Sequence, residues 1–239
     1  MEMMWMTKND VERERAAGTP VIIPFGSVEQ HGSHLPLATD TLQAYDVATR
    51  AAMKTKAIVA PPVHFGLCSS TRNHPGTITI SGDTLRSVVR DLIQSFSRQG
   101  FSGILLYSGH AGRVHMAALR EAAENCVQND PMLKLAVVSD LDLLRETAGD
   151  LLETPEDGHA GEIETSRMLY LHNDKVRGTS PEEYPSFPSF RVLPDPERFW
   201  PGGVWGNPEA ATRQKGKKLV ERTAEALAGI VENLSREGG

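Results

Sequence analysis

The chain has 239 residues, 39% of them hydrophobic, which is enough to bury a sizeable core, and it reads as one undivided domain over residues 1–239. A formal net charge of -6 and a pI near 5.8, with both signs interspersed, give no basic field for phosphate backbones, so nucleic acid is not expected as a partner. Two cysteines, Cys68 and Cys126, make no disulfide framework, no stretch approaches the apolar length of a bilayer span, and residues 1–18 lack an apolar leader core. A cytoplasmic protein without membrane contact is expected.

Residues 1–18 suit a first amphipathic helix, with Thr7 or Asn9 to cap it and Gly18 to close it. The stretch that organises the chain follows at 21–40, VIIPFGSVEQHGSHLPLATD. Val21, Ile22 and Ile23, bounded by Pro24 and Gly26, suit a buried parallel strand and its exit. Glu29, His31, His34 and Asp40 lie just beyond that strand, where open α/β sheets place their ligand sites. Glu29 and His31 are one residue apart and converge only over an irregular or extended backbone; Gly32 favours the irregular form. Glu, His and Asp together suit divalent Zn, Mn or Fe, and the alternative is a polar loop whose histidines hydrogen-bond the turn.

A helix over 41–56 leads to a short strand at 57–60, stopped by Pro61 and Pro62. Residues 63–80, with His64 and His74, read as a long polar loop leading to a short strand. Asp83 or Thr84 caps a helix that runs to Arg98, and a buried strand at 103–107 ends in Ser108-Gly109-His110-Ala111-Gly112. That places His110 on the same rim as Glu29 and His31. A helix at 113–129, a strand at 133–139 and a helical stretch at 140–152 come next.

His159 then opens a segment carrying Glu162 and Glu164. Two positions apart on a helix, these carboxylates diverge, so at most one faces a shared site; a helix-start carboxylate is the alternative for either. Residues 179–199 form a Pro- and Ser-rich excursion, and 209–234 a long final helix. His115 and His172 fall inside helices and read as packing or surface groups, and His34 as a support for its loop. There is no P-loop or dinucleotide-binding glycine motif.

Five motifs in order, GSVEQHGSHLPLATD at 26–40, HPGT at 74–77, SGHAG at 108–112, HAGEIETS at 159–166 and GVWGNPEAAT at 203–212, resemble the creatininase (creatinine amidohydrolase) family over nearly the whole chain. The resemblance implies an α/β fold, an α/β/α layered domain with a mostly parallel central sheet, and a homo-oligomer, with a hexamer favoured. It implies two divalent ions, Zn, Mn or Fe, held by Glu29, His31, Asp40, His110 and Glu164, with Asp40 bridging. Glu162 is the second claimant for the fifth ligand and a candidate catalytic residue beside His159, which would donate a proton to the leaving nitrogen or orient Glu164. The chain departs from the family in Gly112, where creatininase has a glutamate, in Ser108 and Arg113 in place of asparagines, and in Ser70-Thr71 in place of Glu-His. No tryptophan lies between Trp5 and Trp200, where creatininase has one shortly before the active-site histidine. The implied activity is metal-dependent hydrolysis of a C–N bond in a small cyclic or linear amide. A formylaminopyrimidine-type deformylase, a peptide-tail hydrolase and a non-catalytic metal- or small-molecule-binding protein are the alternatives.

Overall fold

The computed structural model describes residues 1–236; residues 237–239, counted in the expected domain, lie outside the described residues. Four parallel strands, β1 (Val21–Phe25), β2 (Ile58–Val59), β3 (Gly103–Ser108) and β4 (Lys134–Ser139), form a sheet in the order β2-β1-β3-β4. The chain therefore leaves β1 towards β2 and returns across it to β3. The strand order reverses between β1 and β3, and it is outside the carboxyl ends of such a pair that an open α/β sheet leaves a crevice for ligands.

Helices cover both faces because the strands are apolar on both. Val21, Ile23, Phe25, Ile104 and Leu106 point to one side and pack with α3 (Gly82–Arg98) and α4 (Arg113–Asn129) through Val89, Ile93 and Leu119. Ile22, Leu105 and Tyr107 point to the other and pack with α2 (Thr39–Thr55), α5 (Asp140–Ala148) and α7 (Arg213–Arg236) through Val47, Leu143, Leu227 and Val231. This period-two split of adjacent residues builds the three α/β/α layers. Helix α6 (Glu162–Leu171) lies against α7, and α1 (Lys8–Ala16) precedes the sheet. No helix among the described residues is long and apolar enough to cross a membrane.

Several boundaries differ from the sequence expectation, each for a local reason. Helix α1 starts only at Lys8, because the Thr7 side chain and Asp10 form a reciprocal capping box. Ser81, rather than Asp83 or Thr84, caps α3 by accepting from the Thr84 N–H. The short strand expected near residue 80 is reduced to a bridge between Val28 and Ile78. Helix α2 begins at Thr39, two residues early, which puts Asp40 in its first turn.

That turn sits against both central strands because two positions lack a side chain. A Cβ on Gly26 would fall 2.5 Å from Thr41 Cα, and one on Gly109 would fall 2.2 Å from the Asp40 carbonyl oxygen. Glycines after β1 and after β3 thus let the start of α2 drop between the two strand ends.

Candidate metal centre

The residues after β1 and β3 meet at the crevice. Asp40 is the centre of the group, with Oδ1 3.0 Å from His31 Nε2 and Oδ2 3.1 Å from His110 Nδ1. His110 Nδ1 also lies 2.8 Å from Glu29 Oε2, and His31 Nε2 lies 3.6 Å from Glu164 Oε2. The donor atoms fall into two sets, each within 4.8 Å: Glu29, Cys68 and His110, and His31, His159 and Glu164. Asp40 presents one carboxylate oxygen to each set.

Neighbouring groups fix these donors. Ser27 donates to Asp40 Oδ2 at 2.6 Å and lies 3.2 Å from Glu29 Oε2, while the Thr71 hydroxyl donates to Glu29 Oε1. Ala160 N–H donates to Glu164 Oε2 at 2.5 Å, a turn made by Ala160 in the left-handed region at φ 49°. His31 Nδ1 donates to the Glu29 carbonyl at 3.0 Å and His110 Nε2 to the Leu67 carbonyl at 3.2 Å. A carbonyl oxygen only accepts, so these bonds fix the tautomers and leave His31 Nε2 and His110 Nδ1 facing the carboxylates.

This donor set fits divalent cations. Glu29 and Asp40 are buried, Glu164 is partly buried, and among the described residues the ion pairs of all three run to histidines and none to a lysine or arginine. Three carboxylates in so little space need concentrated positive charge, since an uncompensated buried carboxylate costs several kcal/mol. Burial disfavours every charged form here, yet mutual attraction prevails: His31 and His110 are held well above the usual imidazole range and Asp40 well below the usual carboxylate range. Burial likewise pushes the Glu29 carboxyl up, and the adjacent His110 outweighs it and leaves the group at about 2. Carboxylate oxygens and imidazole nitrogens are donors for Zn, Mn or Fe.

His159 stands over the second set, its ring centroid 4.2 Å from that of His31. Its Nε2 donates to the Gln30 carbonyl at 2.8 Å, which leaves Nδ1 as the nitrogen able to exchange a proton. Trp200, from the C-terminal segment, packs edge-on to that ring at 5.1 Å. Burial and the neighbouring His31 lower the His159 pKa.

Glu162 does not join the group. It points the other way, accepting from Glu153 N–H at 3.0 Å, Thr154 N–H at 2.7 Å and the Lys215 ammonium, which corrects its reading as a catalytic group or rival ligand. The α6 start that separates the two glutamates is capped by Asp157, whose carboxylate accepts from Glu162 N–H at 2.6 Å and Ile163 N–H at 3.0 Å.

The remaining histidines hold the frame. His34 bonds Ser180 Oγ at 2.9 Å and Thr165 Oγ1 at 2.8 Å, His115 accepts from Leu67 N–H and bonds Ser108, and His172 pairs with Asp46. His74 lines a cavity of about 610 Å³ beside Gln30, with Ser33, Ser180, Glu183 and Val204. Sequence reasoning gives no site role to Ser27, Thr71, Gln30 or Trp200. Their roles depend on contacts between distant segments and carry no local spacing signal, although Ser27 and Gln30 lie inside the first motif.

The chain is similar to proteins of known family over most of its length. The family model for creatininase, described as creatinine amidohydrolase, matches residues 4–231. The creatinine amidohydrolase of Pseudomonas putida is 31% identical, with 95% of this chain and 94% of that protein covered. The mycofactocin precursor peptide peptidase of Mycolicibacterium smegmatis is also 31% identical, with 90% of this chain and 84% of that one covered. A solved structure described as "Creatininase Mn" superposes with a TM-score of 0.87 at 26% identity and covers 97% of each chain. On the match over nearly all of its length, the chain belongs to the creatininase family.

Proposed function

We propose that this metal-dependent amidohydrolase holds two divalent ions, one between Glu29 and His110 and one between His31 and Glu164, with the Asp40 carboxylate shared. The observation that carries the reading is Asp40 itself, whose two oxygens each face one imidazole, at 3.0 and 3.1 Å, from the two sides of the switch point. Divalent ions held there supply Lewis-acid activation of a water and of an amide carbonyl. The chain does the rest. Ser27 and Thr71 hold the carboxylates in place, and the Gln30 carbonyl keeps the His159 Nε2 proton, so that Nδ1 is free to take the proton given up by the attacking water and pass it to the departing nitrogen.

The substrate is a small amide, cyclic or linear. A cavity of about 610 Å³ suits a molecule of that class, and Gln30 connects it to His159 through a 3.3 Å contact between the amide nitrogen and Nε2. The peptide-tail reading has its own support in the 31% identity to a precursor peptide peptidase, and a formylaminopyrimidine-type deformylase would use the same groups. A homo-oligomer, with a hexamer favoured, and a cytoplasmic location belong to the same reading. Sedimentation and cell fractionation test them.

The test of function is hydrolysis of a panel of cyclic amides, formamides and short peptides, with and without a chelator, by the native chain and by His159→Ala. The reading expects turnover that the chelator abolishes and added Zn or Mn restores, and a variant that keeps its metal and loses turnover. Loss of metal in His159→Ala would give that ring a role in holding the site. Metal retention with no turnover on any substrate class would favour a binding protein.

A further inference from the structure

Cys68 lies on the loop after β2 and is 1% exposed. Three bonds fix the backbone around it. Leu67 N–H donates to His115 Nδ1 at 3.2 Å, the Leu67 carbonyl accepts from His110 Nε2 at 3.2 Å, and Cys68 N–H donates to Thr79 Oγ1 at 2.9 Å. The loop is thus fastened to the very ring that faces Asp40, and the thiol comes to rest within 4.8 Å of the donor atoms of Glu29 and His110. A space-filling role would not need three anchors. A disulfide role is unavailable, because both cysteines are free and Cys126 is buried in the core cluster that packs around α4.

Sulfur makes the two donor sets unlike. One contains a thiol, a carboxylate and an imidazole; the other, His31, His159 and Glu164, contains oxygen and nitrogen alone. Thiolate donors favour Zn over Mn, and carboxylate-rich sites suit Mn.

Resting on the dinuclear reading above, we infer that Cys68 is a thiolate ligand of the Glu29–His110 subsite, so that this subsite selects a borderline-soft ion such as Zn while its neighbour accepts a harder one. When the ion enters, the S–H bond breaks, the sulfur keeps the electron pair and donates it to the metal, and the proton passes to solvent. No redox partner is involved.

The experiment is an anaerobic titration of the metal-free chain with Co(II), read by visible d–d absorption for occupancy and by the near-ultraviolet thiolate-to-cobalt charge-transfer band for sulfur ligation. The native chain should bind two Co(II) and show the band. Cys68→Ser should keep the d–d absorption and lose the band, and Cys126→Ser, in which Cys68 is the sole thiol, should keep both. If a serine variant fails to fold, Cys68→Ala or the Cys126→Ser result alone still decides. Cobalt binding without the charge-transfer band in the native chain would overturn the sulfur ligand and leave the dinuclear reading standing. A band that survives in Cys68→Ser or vanishes in Cys126→Ser would also overturn it. No cobalt uptake at all would overturn both.

Discussion

Gly109→Ala tests whether the placement of Asp40 depends on the bare backbone beneath it. The added Cβ would lie 2.2 Å from the Asp40 carbonyl oxygen, 2.9 Å from its carbon and 3.2 Å from Ala44 Cβ. Contacts below 3.0 Å are essentially never found, so the two backbones must part by about 0.8 Å. The strand side cannot yield. Gly109 N–H donates to the Phe25 carbonyl at 2.9 Å, and β3 is paired along its length on both sides. The first turn of α2 must move instead, carrying Asp40 away from His31 and His110. Overpacking of this kind costs about 1–3 kcal/mol of stability. A displacement of about 0.8 Å exceeds the roughly 0.5 Å within which a binding site must be held, so metal affinity should fall about 10–100-fold, the range seen when supporting groups are removed. Thermal unfolding and competition with a chelating dye measure the two effects. Gly229→Ala, in α7 with nothing within 4 Å of the added carbon, is the control and should be neutral or slightly stabilising. A Gly109→Ala chain that binds metal as tightly as the native one would refute the reasoning.

The two glutamates of α6 should separate cleanly: Glu164→Gln lowers metal content at near-native stability, whereas Glu162→Gln keeps its metal and loses about 1.5–3 kcal/mol with its charged hydrogen bonds to Lys215 and two backbone N–H groups. Metal analysis and urea unfolding would show it, and the reverse pattern would exchange their roles. Arg167→Met should cost about 3–5 kcal/mol in urea unfolding, because it strands the buried Asp140 carboxylate with the Tyr107 hydroxyl alone; a loss below about 1 kcal/mol would contradict that. His115 is buried and neutral, with burial pushing it down to about 3, so below about pH 6.5 the unfolded chain takes a proton that the folded chain refuses. Its contribution is therefore lost as pH falls from about 6.5 towards 3, at about 1.4 kcal/mol per pH unit. His115→Gln should flatten the plot of unfolding free energy against pH by that slope, and an unchanged slope would rule the residue out.

The fold was largely legible because its signals are local. Apolar runs at 21–23 and 103–107 stop at glycines, and the next residues carry metal-ligand side chains, so both strands and their rim position follow from pattern alone. The same logic separates Glu162 from Glu164 in direction, since residues two positions apart on a helix do not share a face, but it does not say which one faces inward. That depends on Asp157, which caps α6 from five residues upstream, and on Lys215 from a different helix. Cys68 was read only for its redox compartment. Nothing near it in sequence is a ligand, and its approach to His110 is set by His115 and Thr79 through a loop without regular structure. The first turn of α2 begins two residues before the sequence expectation because its N-cap, Ala38, gives no capping signal while Thr39 and Asp40 are cap-type residues that point to a later start; the approach to Gly26 and Gly109, a tertiary contact, fixes where it begins.

The central claim is that Asp40 joins two metal subsites. Metal content per chain, measured by inductively coupled plasma mass spectrometry on protein purified without chelator and again after reconstitution with Zn and Mn, tests it directly, with Asp40→Ala alongside. Two ions per native chain and at most one in the variant is the predicted result. Two ions retained by Asp40→Ala, or none taken up by the native chain, would contradict it.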